Sequence, residues 1–141
     1  MKTAFSLISI AAFVLLPMGC SETKEIPVLH HVEGKVTFEG KPAGGAIVLY
    51  HPVGDDSAES IKPRAISGTD GKYVLSYVGD EDGAPAGEYR VTVKWTRSGD
   101  HPEQGTDLLP SRYHDSTSSG LRVTVKAESR QVIDLNLKRK P

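Results

Sequence analysis

The residues of this chain that could do acid-base, nucleophilic or metal chemistry are few and scattered. Histidines stand at positions 30, 31, 51, 101 and 114. No two of them have the i, i+2 spacing of a strand or the i, i+4 spacing of a helix that would aim two imidazoles at one metal ion. The pattern favours exposed loop histidines, and it predicts neither a metal centre nor a cofactor.

Two short segments, 55–59 and 80–83, are acidic clusters with three carboxylates each. The second one, Asp80-Glu81-Asp82-Gly83, has the composition of a calcium loop without the spacing of an EF-hand. A solvated turn is the favoured interpretation, and a calcium site stays open as the alternative. Over the whole chain, 17 Lys+Arg nearly balance 18 Asp+Glu, which argues against a nucleic-acid-binding protein.

The chain has a single cysteine, Cys20, which excludes an intramolecular disulfide and a multi-thiolate metal site. Before it come a basic start at Lys2, an apolar run over 4–16 and a small residue, Gly19. The run is too short for a bilayer, which needs about 20 residues. Residues 1–19 are therefore typical of a secretory signal peptide. Ordinary secretion with a free thiol stays open as the alternative.

The sequence around Cys20 resembles the lipobox of bacterial lipoproteins, although Pro17 stands where that motif usually has Leu. The resemblance implies that Cys20 becomes the first mature residue and is acylated, with palmitate among the expected chains. Several chains make such an anchor firm, because each buried methylene is worth about 0.8 kcal/mol. Ser21, at the sorting position, implies the outer membrane, with the domain facing the periplasm or the cell surface. Residues 20–30 are then the lipidated Cys20 and its tether.

Alternating apolar and polar residues predict an all-β domain over residues 31–138. The Asp70-Gly71 pair predicts a tight hairpin turn, because Gly tolerates a positive φ. Seven short strands with one solvated face each indicate a seven-stranded antiparallel Greek-key sandwich. The predicted strands are Val32–Phe38, Ala46–Pro52, Lys62–Ser67, Tyr73–Val78, Glu88–Thr96, Leu121–Val125 and Val132–Leu137.

Four phrases in order resemble the carboxypeptidase regulatory-like domain: Gly34–Pro42, Ala46 with the strand after it, Thr69–Tyr73, and Pro85–Val93. The resemblance covers about residues 31 to 137 and implies a transthyretin-like (prealbumin-like) sandwich. Members of this family are mostly accessory, adhesive or envelope modules, which implies a non-catalytic structural or protein-interaction role. The 5-hydroxyisourate hydrolases share the fold but end in Tyr-Arg-Gly-Ser, a signature that is absent here, so a hydrolase is disfavoured.

The longest stretch without a predicted strand, Ser98–Gly120, is where we expect a binding surface if the chain has one. Leu109 and Tyr113 should pin this loop over one end of the sandwich, and Trp95 stands beside its start. A carbohydrate- or envelope-polymer-binding module is the alternative function, and it would need Trp95 and Tyr113 exposed and coplanar. An ordered crossover without a ligand is the favoured interpretation. The expected partners are the membrane, through Cys20, and an unknown envelope protein or polymer.

Overall fold

The computed structural model of the chain describes residues 25–55, 57–97 and 105–140. Cys20 and the predicted signal peptide lie outside the described residues, and so does His101. Within the described ranges the chain forms ten strands and one 3-10 helix, Ser111–His114. The strands are β1 (Leu29–Phe38), β2 (Lys41–Pro42), β3 (Ile47–Pro52), β4 (Arg64–Ile66), β5 (Lys72–Val74), β6 (Ala84–Pro85), β7 (Gly87–Lys94), β8 (Arg122–Val125), β9 (Arg130–Val132) and β10 (Leu135–Leu137). No helix in these ranges is long and apolar enough to cross a membrane.

Each of the seven predicted strands is present, but two are about half as long as predicted: β4 is Arg64–Ile66 instead of Lys62–Ser67, and β5 is Lys72–Val74 instead of Tyr73–Val78. The additional strands β2 and β6 have two residues each, so they are too short to show an alternating pattern. The last predicted strand is divided into β9 and β10. The domain also begins two residues earlier than predicted, because Leu29 and His30, assigned to the tether, pair with Pro85 and Ala84 in β6.

The strands form two sheets with one core between them. The four-stranded sheet has the order β4-β3-β7-β8 and is antiparallel throughout. In the other sheet β1 pairs antiparallel with β2, β5 and β6 and parallel with β9 and β10. The parallel pairing places the C-terminal strands beside the first strand. The predicted all-β sandwich is confirmed.

Alternate residues of the strands fill the core between the sheets. In β7, Tyr89, Val91 and Val93 are at most 3% exposed, whereas Glu88 and Arg90 face outward. Burying one large apolar side chain contributes about 1.5–3 kcal/mol, so these alternating positions are what holds the two sheets together. The remaining core side chains belong to Val32, Val36, Phe38, Ala43, Ala46, Val48, Tyr50, Ala65, Tyr73, Leu75, Ala84, Leu109, Tyr113, Val125, Leu135 and Leu137.

Gly34, in the middle of β1, allows the C-terminal part of the chain to approach closely. A Cβ atom at this position would stand 1.8 Å from the carbonyl oxygen of Ile133, so only glycine fits. Next to this contact the Asp134 carboxylate accepts a hydrogen bond from the backbone N–H of Lys35 at 2.9 Å. A side chain therefore replaces a backbone partner here, which explains why the predicted strand 132–137 is divided into β9 and β10.

Two tyrosines join the sheets by hydrogen bonds through the core. The hydroxyls of Tyr50 and Tyr73 are 2.9 Å apart, and Tyr73 donates to the carbonyl of Ile133 at 2.5 Å. Because Tyr73 gives its only proton to Ile133, Tyr50 must donate to Tyr73. Burial raises the pKa of Tyr50 to about 12, and burial together with the neighbouring Tyr50 raises the pKa of Tyr73. Both phenols therefore stay neutral at physiological pH and act as a brace between the sheets.

The predicted tight turn at Asp70-Gly71 is present, but β4 and β5 on either side of it belong to different sheets, so the predicted hairpin pairing is reduced to an isolated bridge between Arg64 and Ser76. Gly71 has a φ of 81°, in the left-handed region that favours glycine. The Asp70 carboxylate accepts the backbone N–H of Lys72 at 3.0 Å, and this bond holds the pKa of Asp70 below its usual value. Asp70 is thus a turn residue.

Candidate binding surface

Trp95 directly follows β7 and belongs to the wall of the core. Its ring meets Phe38 edge-on, with centroids 6.2 Å apart and an angle of 69° between the planes. Its indole N–H donates to the carbonyl of Gly44 at 2.8 Å. The side chain is half-buried and packs against the core residues. Trp95 therefore ties the end of β7 to the segment before β3.

The described part of the loop after Trp95 turns back just beyond β7, where Thr96 and Asp107 form an antiparallel bridge. Leu108 donates its N–H to the carbonyl of Trp95 at 2.7 Å. The Asp107 carboxylate accepts the N–H of Leu109 at 2.8 Å with one oxygen. The other oxygen lies 2.7 Å from Nε2 of His114, which forms an ion pair with Asp107 when the imidazole is protonated. The second Asp107 oxygen is buried and makes no hydrogen bond among the described residues, so its closeness to His114 is the contact that holds it.

Tyr113, in the 3-10 helix, fastens this loop to the end of the chain. Its hydroxyl donates to the carbonyl of Lys138 at 2.9 Å and accepts the N–H of Lys138 at 2.9 Å. The neighbouring Arg112 guanidinium lies 4.6 Å from the centre of the Tyr113 ring and also donates to the carbonyls of Lys138 and Arg139. The loop therefore closes the side of the sandwich between β7 and the C-terminal strand.

These positions correct the prediction that Trp95, Leu109 and Tyr113 form a possible binding surface. Leu109 is 6% exposed and Tyr113 is 5% exposed, and Trp95 is half-buried with its N–H already bonded. Leu109 and Tyr113 pin the loop as expected, but this role turns their faces into the core. The three side chains build the domain and do not form an exposed aromatic platform.

The other residues that could do chemistry also hold structure. Nε2 of His51 is 2.9 Å from the hydroxyl of Thr92, and Nε2 of His31 is 3.5 Å from a Glu33 oxygen. The Glu33 carboxylate also accepts hydrogen bonds from the Arg130 guanidinium, and these bonds hold the pKa of Glu33 below its usual value. Over the ranges that the structure describes, no group of three or more His, Cys, Asp or Glu side chains is placed to hold a metal ion.

The acidic segment 80–83 forms a turn around Asp82. The Asp82 carboxylate accepts the backbone N–H groups of Tyr77, Val78 and Gly79 at 2.5, 3.0 and 2.6 Å. Partial burial raises the pKa of Asp82, but these three donors outweigh it and hold the pKa below its usual value. Since both oxygens are used in this way, the turn is the arrangement that the structure supports.

A row of basic side chains on the outer face of the four-stranded sheet was not predicted from the sequence. Arg90 in β7 stands directly opposite His51 in β3 on one side and Arg122 in β8 on the other. The alternation of β7 predicts that Arg90 faces outward. The register that sets Arg122 beside it depends on pairing across more than thirty residues, which no local pattern reveals.

Fold and site together define this chain as a two-sheet, all-β sandwich domain. No protein-family model matches it, and no curated protein does. Among solved structures, a DUF3823 family protein from Parabacteroides merdae is 19% identical, with a TM-score of 0.39, over 79% of this chain and 46% of that one. The dioxygenase domain of a dioxygenase carbohydrate-binding protein fusion from Streptomyces sp. SirexAA-E is 16% identical, with a TM-score of 0.44, over 82% of this chain and 83% of that one. The major pilin subunit of Bacillus cereus is 16% identical, with a TM-score of 0.42, over 80% of this chain and 30% of that one. This chain thus spans about half of the Parabacteroides protein and a third of the pilin, and none of these likenesses assigns it a function.

Proposed function

We propose that this chain is a lipid-anchored β-sandwich of the bacterial cell envelope that acts as a non-catalytic structural or protein-interaction module. In this proposal Cys20 is the acylated first residue of the mature chain, in the outer membrane, and the domain is of the carboxypeptidase regulatory-like kind. The observation that supports it best concerns the polar side chains of the kinds that catalysis uses. They form hydrogen bonds to the protein's own backbone and hold its segments together.

Four of these groups lie in different parts of the sandwich and have the same role. Tyr73 bonds to the carbonyl of Ile133, Tyr113 to the backbone of Lys138, Asp82 to three N–H groups, and Asp107 to the N–H of Leu109. A hydrolase needs His, Arg or carboxylate groups that converge on a substrate. These side chains converge on the protein's own backbone, which favours a scaffold.

The length of the tether supports a role close to the membrane. Nine chain steps separate Cys20 from Leu29, where β1 begins. At roughly 3.3–3.6 Å per residue, a fully extended tether reaches about 30 Å. An acylated Cys20 would therefore hold the sandwich within about one domain diameter of the membrane surface. At that distance the domain can contact proteins of the same membrane.

The positions of the aromatic residues do not support the carbohydrate- or polymer-binding alternative. It requires the rings of Trp95 and Tyr113 to be exposed side by side, whereas Tyr113 is 5% exposed and bonded to Lys138. No contact in the described residues favours this alternative over a structural or protein-interaction role.

Membrane fractionation of the full chain expressed in a Gram-negative host tests the proposal. We expect the wild-type chain in the outer-membrane fraction, and we expect Cys20→Ala to remain an unacylated precursor that metabolic labelling with palmitate does not mark. Ser21→Ala is the matched control, because it changes the next residue and leaves the acylation site intact. Palmitate incorporation that survives Cys20→Ala would refute the lipid anchor, whatever the sandwich does.

A further inference from the structure

The outer face of the four-stranded sheet is basic although the chain as a whole is not. Along the described strands, the side chains that face away from the core include four Lys or Arg and one acid, Glu88. The four are Arg64, Arg90, Lys94 and Arg122. The complete chain has a net charge of −1. This face therefore has a local excess of positive charge that the chain as a whole does not have.

Arg90 and Arg122 are the pair at the centre of this face. They occupy directly opposed positions of β7 and β8, where side chains of adjacent strands lie closest. Like charges in directly opposed positions destabilise a sheet, so the pairing needs a compensating partner. Neither guanidinium forms an ion pair with an acidic side chain of the described residues.

Arg90 also has a polar atom without a partner. Its Nε is buried and makes no hydrogen bond among the described residues. A buried donor that is left unpaired is destabilising, and more so when it belongs to a charged group. No acid of the described residues pairs with it: Glu88, on the same face, forms no ion pair with Arg90, and Asp115, which interacts electrostatically with His51, directs Oδ1 to the N–H and hydroxyl of Thr117, each at 2.6 Å.

From these observations we propose that Arg90 and Arg122 form a binding site for a phosphate-class oxyanion. A guanidinium offers parallel N–H donors that match two oxygens of one phosphate group. One such anion between the two side chains would draw the Arg90 guanidinium outward, so that its Nε and Nη and the fork of Arg122 all donate to the anion, and its charge would offset their repulsion. Arg122 is exposed and Arg90 is half-buried, so the site opens to solvent at the β8 side.

The side-chain Nε–H signals of arginine test this proposal in the full chain. The ¹⁵N-labelled protein, in non-ionic detergent and a phosphate-free buffer, is titrated with inorganic phosphate and, at equal ionic strength, with chloride. We expect phosphate to give a saturable shift of the Arg90 Nε–H signal that chloride does not give. A shift of equal size with both salts would overturn the proposal, because it would reflect screening alone.

Two substitutions and a matched control locate the site. Arg122→Gln should weaken phosphate binding about tenfold, and Arg122→Lys should weaken it less, because the charge remains and the planar fork is lost. Arg64→Gln is the control, since Arg64 is exposed on the same face but lies in β4, two strands from Arg90. An unchanged backbone spectrum shows that each variant is folded. Equal weakening by Arg122→Gln and Arg64→Gln would overturn the proposal.

A second titration, with dimethyl phosphate, distinguishes a phosphodiester ligand from a free phosphate or a phosphomonoester. Dimethyl phosphate has the single charge of a phosphodiester, as in a lipid headgroup or an envelope polymer. Shifts that match those of inorganic phosphate support the site with a diester as its ligand, and shifts with inorganic phosphate alone support it with a free phosphate or monoester. The outcome is independent of the lipid anchor, because neither probe requires acylated Cys20.

Discussion

The hydrogen bonds between Tyr50, Tyr73 and Ile133 give a prediction that depends on their direction. The two hydroxyls are 2.9 Å apart, and Tyr73 donates to the Ile133 carbonyl at 2.5 Å. Tyr50 is 0% exposed and Tyr73 is 2% exposed, so a hydroxyl that loses its partner here has no access to solvent. The substitutions Tyr50→Phe and Tyr73→Phe each remove a single oxygen and keep the ring.

The two substitutions should differ in cost. Tyr50→Phe removes one hydrogen bond and leaves Tyr73 bonded to Ile133, so the free energy of unfolding should fall by about 1 kcal/mol. Tyr73→Phe removes both bonds and leaves the Tyr50 hydroxyl and the Ile133 carbonyl unpaired. At about 1–3 kcal/mol for each unpaired group, the free energy of unfolding should fall by at least about 2 kcal/mol.

The double variant supplies the decisive comparison. With both residues changed to Phe, only the Ile133 carbonyl lacks its partner, so the double variant should be no less stable than Tyr73→Phe alone. The two changes would then be coupled by about 1 kcal/mol or more. Urea unfolding followed by the fluorescence of Trp95, the chain's only tryptophan, measures all four proteins. Costs that simply add, or equal costs for the two single variants, would refute the direction of these hydrogen bonds.

Three further predictions concern the close contact in β1, alkaline pH and acid pH. Gly34→Ala would place a Cβ 1.8 Å from the Ile133 oxygen and should cost at least about 3 kcal/mol, whereas Gly79→Ala, with its nearest contact at 3.4 Å, should cost less than about 1 kcal/mol. Equal thermal unfolding midpoints for these two variants would contradict the contact. The folded pKa values of Tyr50 and Tyr89 are about 12, above the value of about 10 of an unfolded tyrosine, so the stability they contribute is present below about pH 10 and is lost as the pH rises through about 12. Tyrosinate absorbance of the folded protein that reaches the amplitude of all five tyrosines at the pH of free tyrosine would be the opposite result. The lowered pKa of Asp82 contributes stability above its unfolded value of about 3.9 that is lost as the pH falls through the folded value, so Asp82→Asn should lower stability at pH 7 and flatten its acid dependence. Parallel acid-unfolding curves for the wild type and Asp82→Asn would rule this out.

Local patterns were sufficient to predict most of the fold. The alternation of β7 is visible in the sequence because its inward residues Tyr89, Val91 and Val93 are apolar and its outward residues are polar. The parallel pairing of β1 with β10 was not predictable in this way. It pairs Val36 with Leu135. The backbone of Ile133 can come this close to β1 because Gly34 has no side chain. Long-range pairing of this kind leaves no local signal.

The candidate site was harder to predict, for a related reason. Trp95, Leu109 and Tyr113 are suited equally to an exposed binding surface and to a buried closure of the sandwich. Which of these occurs depends on Lys138, 25 residues after Tyr113. The backbone N–H of Lys138 donates a hydrogen bond to the Tyr113 hydroxyl, and its carbonyl accepts one from it. The opposed Arg90 and Arg122 were missed because their pairing is set by the register of β7 and β8. In both cases the decisive partner lies far away in the sequence.

The mass of the N-terminal peptide of the mature chain, isolated from the envelope of an expressing bacterium, tests the central claim most directly. If the chain is a lipid-anchored sandwich, this peptide begins at Cys20, has no free thiol and is heavier than its amino acids by a diacylglyceryl group, with or without a further acyl chain on the amino group. A mature chain that begins at another residue, or at Cys20 with an unmodified thiol, would contradict the account.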